Sequence, residues 1–395
     1  MSTVVERDVT NDQHWLEFSN EWLIRPDTTY LNHGSFGPSP NIVRQQRRQW
    51  IDQLDCQPMD FYCRQIEPAL VEAREKLANF VGTKHENLVF VENATFGMNV
   101  VADSFPLNSG EEILLNNHEY GAVHRIWERA CLRSNANLTI AQLPEKFESK
   151  QQVIDCLLNR VTPKTRAVVI SHITSATAIV MPVKELCEAL SDSNVAIIID
   201  GPHAPAQIDV DLESIGCDFY TASCHKWLSA PLGSGLLFVH PKHQSWVQPQ
   251  LMSWGRLRPA VPETWDEEFT WSGTRDPSNY LTVPTAIDFL RNQVGLENFR
   301  NRSQFLATNA EKMLVEELRT EPIASRKDGW YASMAHVPLP PGDHDQLQKM
   351  LWDEYKIEVP IFYFDEKWYV RVSCHLYNNQ TQLETLRFAL RKYLV

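Results

Sequence analysis

The sequence predicts an α/β fold built on a largely parallel sheet. Two observations carry this. Short, β-branched, nearly all-apolar runs recur through the middle of the chain, and longer amphipathic stretches separate them. A strand covered by helices on both faces needs an unbroken apolar run, not an alternating one. Strand–helix–strand order is how parallel strands are joined. In chain order, residues 42–81 read as one or two long helices with polar faces. Residues 91–104 (VENATFGMNVVADS) read as a strand end running into a helix start. Buried strands are expected at 111–116 (EEILLN), 167–173 (AVVISHI), 195–200 (VAIIID), 218–222 (DFYTA) and 235–239 (GLLFV). Residues 182–191 (PVKELCEALS) open on a proline, which suits the first turn of a helix. Another amphipathic helix is expected at 301–318. Helix at 345–355, strand at 368–373 and helix at 381–393 then suggest a smaller α/β lobe, with the proline-rich 337–342 (VPLPPG) as a loop inside it.

Size and charge narrow the function classes. The chain has 395 residues, 43% of them hydrophobic, enough for two domains or one elaborate one. Asp and Glu total 50 against 37 Lys and Arg, a net charge of −13. That balance argues against nucleic-acid partners, which need a clustered basic face, and against a polybasic membrane anchor. Only 15 residues are glycine, so a glycine-rich phosphate loop is not expected. The N-terminus is charged early and lacks an apolar core, unlike a secretory signal, and no run is long and apolar enough to span a bilayer. The eight cysteines form no CxxC pair, which removes the usual zinc patterns and suggests reduced thiols in the cytoplasm. No metal site is expected.

The most informative block is 195–239. Asp200 ends an apolar strand, His203 follows, and SCHKW places Ser223, His225 and Lys226 just after the next strand. An Asp ending a parallel strand points into the crevice where α/β ligands bind. A lysine between an apolar strand and a turn is desolvated, which lowers its pKa and makes it nucleophilic. Asp and Lys delivered to one crevice suit pyridoxal phosphate: the lysine makes the Schiff base and the aspartate keeps the ring nitrogen protonated. Ser223 and His225 are donors suited to the phosphate. An isolated Asp and Lys would read as an ion pair, but that leaves the histidines unexplained.

This block, DGPHAPAQIDVDLESIGCDFYTASCHKWLSAPLGSGLLFV, resembles the cofactor-lysine region of class V aminotransferases, and within them the isopenicillin N epimerase-like branch. YLNHGSFGPSP (30–40), SHITSATAIVMPV (171–183) and WSGTRDPSNYLTVPTAIDFL (271–290) resemble the same branch. The resemblance implies fold type I: a large domain around a mostly parallel seven-stranded sheet, plus a small C-terminal α/β domain. It implies an N-terminal segment at 1–40 packing on the small domain, a cofactor domain at 41–290 and a small domain at 291–395.

It also implies roles. Ala94 and Thr95 at a helix start bind the cofactor phosphate, against the plainer role of a helix cap for Thr95. In HEYGAV the ring-stacking aromatic falls on Tyr120, with His118 the other candidate and a core tyrosine the plain alternative. His203 lies near the ring oxygen, and Thr174 or Ser175 reaches that oxygen or the substrate carboxylate. His172 reads as a satisfied core histidine, and Cys224 as a small packing residue. Thr274 in WSGTRD reaches the phosphate of a second subunit, making a homodimer with shared sites, unless Ser-Gly-Thr is merely a turn; Arg275 adds charge from that loop. Arg371 grips the substrate α-carboxylate, a task that suits the guanidinium fork, and Asn32 and His33 form part of the substrate entrance, unless they are only a turn before the first helix.

The expected substrate is a small amino-acid-like molecule. Return of the Cα proton on the opposite face gives epimerisation, expulsion of a β-substituent gives C–S lyase chemistry, and protonation at the cofactor gives transamination. Desulfurases of the class need a mobile cysteine in the C-terminal lobe, and 356–373 (KIEVPIFYFDEKWYVRVS) has none. The rival from another class is a cofactor-free scaffold protein, which the Asp200, Lys226 and Arg371 set disfavours.

Overall fold

A computed structural model describes residues 5–255 and 262–394. The chain enters through β1 (Thr29–Tyr30), then forms helices α1 (Asn41–Cys56) and α2 (Ile66–Phe80), β2 (Leu88–Val91) and α3 (Ala94–Ser104). β3 (Glu112–Asn116), α4 (Gly121–Ser134), β4 (Asn137–Ala141), α5 (Lys150–Leu158), β5 (Thr165–Ser171), α6 (Val183–Ala189), β6 (Ala196–Asp200) and β7 (Phe219–Ser223) follow. Then come β8 (Gly235–Val239), α7 (Leu296–Leu318), β9 (Met334–Pro338), α8 (Leu347–Tyr355), β10 (Ile357–Glu358), β11 (Ile361–Phe364), β12 (Lys367–Ser373) and α9 (Gln380–Leu394).

Seven strands form one sheet in the order β2-β8-β7-β6-β5-β3-β4. β3 to β7 pair in parallel, whereas β8 runs antiparallel to both β7 and β2. The apolar runs are buried on both faces: every residue of β6, β7 and β8 is buried. Two apolar clusters cover the sheet, one including Ile199, Tyr220 and Leu236, the other Ile198, Phe219 and Leu237. Each fully buried aliphatic side chain there contributes about 1.5–3 kcal/mol relative to exposure.

A second sheet, β11-β12-β9, is antiparallel and has its own apolar cluster with α7, α8 and α9. β1 pairs in parallel with β10, and Ser373 N donates to Leu31 O at 2.8 Å, so the first segment is tied to this C-terminal sheet. The expected loop at 337–342 is corrected: Val337 and Pro338 belong to β9, paired with Val370 and Tyr369. Proline is tolerated because β9 is an edge strand of this sheet. Among the described residues no helix is long and apolar enough to cross a membrane, and no cluster fit for a metal ion occurs.

Candidate active site

Every parallel strand of the large sheet points its C-terminal end to the same edge, and the predicted residues collect there as the crevice rule requires. Register sets Asp200 between Ser171 of β5 and Thr221 of β7. A cavity of about 680 Å³ opens at this edge. Ala94 and Thr95 reach it from the start of α3, and Tyr120 from the start of α4. Ser175 reaches it from beyond β5, Asp200 and His203 from β6, and Ser223, His225 and Lys226 from β7. Arg371, from β12 of the C-terminal sheet, closes the opposite side.

Burial sets the electrostatics. Asp200 is buried, accepts from Thr221 Oγ1 at 3.3 Å, and has no cation within ion-pair distance among the described residues. Desolvation holds its carboxyl above the usual range, opposed by the charge of Lys226. Desolvation pushes Lys226 well below the ordinary lysine value, and Arg371 adds to that depression. The hydrogen bonds agree. Trp227 Nε1 can only donate, and it gives its hydrogen to His203 Nδ1 at 3.3 Å. His203 Nε2 therefore carries the ring hydrogen and donates to Lys226 Nζ at 3.0 Å, which requires an amine with a free lone pair. Burial keeps His203 neutral, as this chain of donors demands.

Arg371 is fully buried, yet among the described residues no carboxylate forms an ion pair with it. Its Nη1 donates to Ser175 O at 2.6 Å and its Nη2 to Ser35 Oγ at 2.9 Å, with Phe362 against the guanidinium at 5.1 Å. Its Nε has no hydrogen-bond partner. A buried, uncompensated cation is costly unless an anion joins it.

Other predicted residues lie elsewhere. His118 is turned from the cavity, bonded to Thr177 Oγ1 at 2.9 Å and packed on Phe147 and Phe364, so Tyr120 is the aromatic that faces it. Thr174 is buried against Thr177 and Ile179. His172 bonds Tyr220 Oη at 2.8 Å, as a satisfied core histidine does. Thr95 does not cap α3: Asn93 does, its side chain accepting from Phe96 N. Asn32 takes a 3.5 Å bond from Arg371 and donates to Glu358. His33 is not at an entrance: it is fully buried behind the loop that carries Lys226. Thr274 is exposed and outside the cavity, and Arg275 beside it is paired with Glu92 at 3.1 Å. Cys224 and Cys374 are buried with thiols pushed up to about 12, so neither is a reactive thiolate.

Sequence reasoning missed Ser35, Thr221, Trp227 and Phe362. Thr221 and Trp227 were within reach of it, since one precedes Ser223 by two residues on the same face and the other adjoins Lys226. Ser35 and Phe362 reach Arg371 only through tertiary contacts.

Known proteins are similar to this chain along most of its length. The chain is 35% identical to the isopenicillin N epimerase of Amycolatopsis lactamdurans, over 96% of this chain and 98% of that one. It is 25% identical to an L-cysteine desulfhydrase of Arabidopsis thaliana, over 91% of this chain and 86% of that one. A solved cystine C–S lyase superposes with a TM-score of 0.81 at 21% identity, covering 93% of this chain and 98% of that one. The aminotransferase class-V family model matches residues 62–386, and the chain belongs to that family.

Proposed function

We propose that the protein is a pyridoxal phosphate enzyme acting at Cα of an amino acid or amino-acid derivative, with isopenicillin N epimerase-like chemistry. The single observation that carries the reading is Arg371, a buried cation without an acid, facing the same cavity as Lys226 and Asp200. The donor set fits the cofactor. Asp200 lacks a cation and suits a ring N–H. His225 Nδ1 is buried without a partner, and with Ser223 and the start of α3 it suits a phosphate. Tyr120 would supply the aromatic face, and His203 and Ser175, which line the same cavity, would hold the ring oxygen.

When bound, pyridoxal phosphate supplies an electron sink for a carbanion at Cα. The residues of the chain do the rest. Arg371 holds the α-carboxylate through two parallel hydrogen bonds and so orients Cα. Lys226, unprotonated at Nζ, would hold the cofactor and would take the Cα proton as general base. His203 keeps that amine oriented through its Nε2–H.

Incubation with candidate substrates in deuterated water tests the reading. Cα exchange with inversion is expected, and Lys226→Ala abolishes both exchange and the lysine–cofactor absorbance. No exchange with any amino acid overturns it. Pyruvate release without inversion selects the second reading, a C–S lyase, which the desulfhydrase relatives support. A specific observation favours an extended substrate over free cysteine. A second cavity of about 1110 Å³ adjoins the first, the two sharing Ser35, Phe36, Leu232 and Phe362. We also read the chain as a cytoplasmic homodimer in which the exposed Thr274 reaches the partner's phosphate, which sedimentation and Thr274→Ala cofactor affinity test.

A further inference from the structure

His33 bonds the catalytic loop without touching the cavity. Its Nε2 lies 2.9 Å from the backbone carbonyl of Lys226, and its Nδ1 lies 2.9 Å from Tyr377 Oη. A carbonyl only accepts, so Nε2 carries the hydrogen and Nδ1 takes one from the Tyr377 hydroxyl. The ring is therefore held in one tautomer and one orientation. His375 stacks on it with ring centroids 3.9 Å apart and bonds Ser229 Oγ at 3.3 Å. Ser229 N in turn donates to the same Lys226 carbonyl, with Ser229 at φ 56°, a conformation non-glycine residues seldom adopt.

Two further facts show how closely the segment docks. A Cβ on Gly37 would lie 2.7 Å from the carbonyl oxygens of His225 and Lys226, so only glycine fits. Tyr377 follows β12, the strand that carries Arg371, and Asn378 Nδ2 donates to Tyr30 O at 2.8 Å. The N-terminal segment, the substrate-side strand and the Lys226 peptide thus meet at His33.

We propose that His33 is a positioning residue for Lys226. It clamps the strained Lys226–Ser229 turn and, through Tyr377, joins the placement of the lysine to the strand that bears Arg371. The inference rests on the reading of Lys226 as the cofactor lysine.

The test uses the full chain freed of cofactor and mixed with pyridoxal phosphate, following the absorbance of the lysine–cofactor linkage, with thermal melting in parallel. His33→Phe, which keeps a ring and loses both bonds, is expected to slow linkage formation about fivefold. His33→Gln restores a donor to the carbonyl and an acceptor for Tyr377, and is expected within about twofold of the unaltered protein. If His33→Phe links at the unaltered rate, the inference is overturned. It is also overturned if both variants slow in proportion to lost melting temperature, since that is a purely structural role. Should His33→Phe not fold, Tyr377→Phe decides: removing one O–H slows linkage about threefold at near-equal stability, and an unaltered rate overturns the clamp. An unaltered protein that forms no linkage removes the reading of Lys226 itself, a distinct outcome from linkage that ignores His33.

Discussion

Arg371 brings a full charge into the interior without an acid to meet it, and Glu119 brings a carboxyl. Both are decided by burial. For Arg371 we propose that the substrate carboxylate is the missing partner. Arg371→Gln is expected to lower kcat/KM about a hundredfold or more, since two charge-assisted bonds to a carboxylate are lost. Arg371→Lys recovers little of this, because an ammonium cannot present the parallel fork. Loss of the cation also relieves Lys226, so the rising limb of the pH–rate profile moves to higher pH. Steady-state kinetics across pH check both. Glu119 accepts from Ser171 N at 2.9 Å and from Ser171 Oγ at 2.6 Å. Desolvation pushes its carboxyl up to about 8, with Asp200 adding to the rise. The unfolded chain ionises Glu119 near its ordinary value while the folded chain keeps the proton. Stability from this group is thus full at acid pH and declines as pH climbs through the window up to about 8. The decline is at most about 1.4 kcal/mol per pH unit. Glu119→Gln, which keeps the hydrogen-bond pattern, should flatten that part of the profile in denaturant melts. An unchanged slope would show that Glu119 is ionised in the fold.

At the scale of elements, the site is a set of strand ends and helix starts, and its fine placement depends on turns. Ser229 closes the turn after Lys226 in the left-handed region and is fully buried. Ser229→Val puts a β-branched side chain there and should destabilise the fold by about 1–3 kcal/mol, whereas Ser229→Gly relieves the backbone. Denaturation midpoints distinguish the two. How far the sequence exposed this level varies with the physics. Asp200, His203, Ser223, His225 and Lys226 were legible because one strand–loop–strand block delivers them. The parallel strands were legible because apolar runs without alternation need two covered faces. The reversal of β8 was not, since an antiparallel strand buried on both sides has the same apolar run. Val337 and Pro338 read as loop because proline is a breaker, and only their pairing with β12 makes them strand. His33 suggested an entrance from its place in the N-terminal LNHGSFG segment. Its partners Lys226 and Tyr377 lie 193 and 344 residues away, a distance no local pattern bridges.

The whole molecule carries an unusual load of neutral histidine. Burial lowers His33 and His336 to about 3 and His118, His172 and His225 to about 4, and it holds His203 and His375 well below the usual histidine value. Most of them fill space between the sheets and the N-terminal segment and bond without bearing charge, whereas His336 is packed on Tyr369 with neither ring nitrogen bonded. A group whose folded pKa is depressed lends stability that is complete above its unfolded pKa, about 6.5 for histidine, and is lost as pH falls through the folded value. The cofactor-free protein should therefore lose stability steeply from about pH 6.5 down to pH 4. Near pH 5 these histidines take up protons on unfolding, while Glu119 and Asp200, raised in the fold, give protons up. The histidines outnumber the two carboxyls, so the net over these groups is an uptake of several protons. Calorimetric melting at a series of pH values reads that number from the slope of stability against pH. A slope near zero between pH 6 and 4 would mean that the crevice admits protons before the fold opens, and that its histidines are charged where the packing requires them neutral.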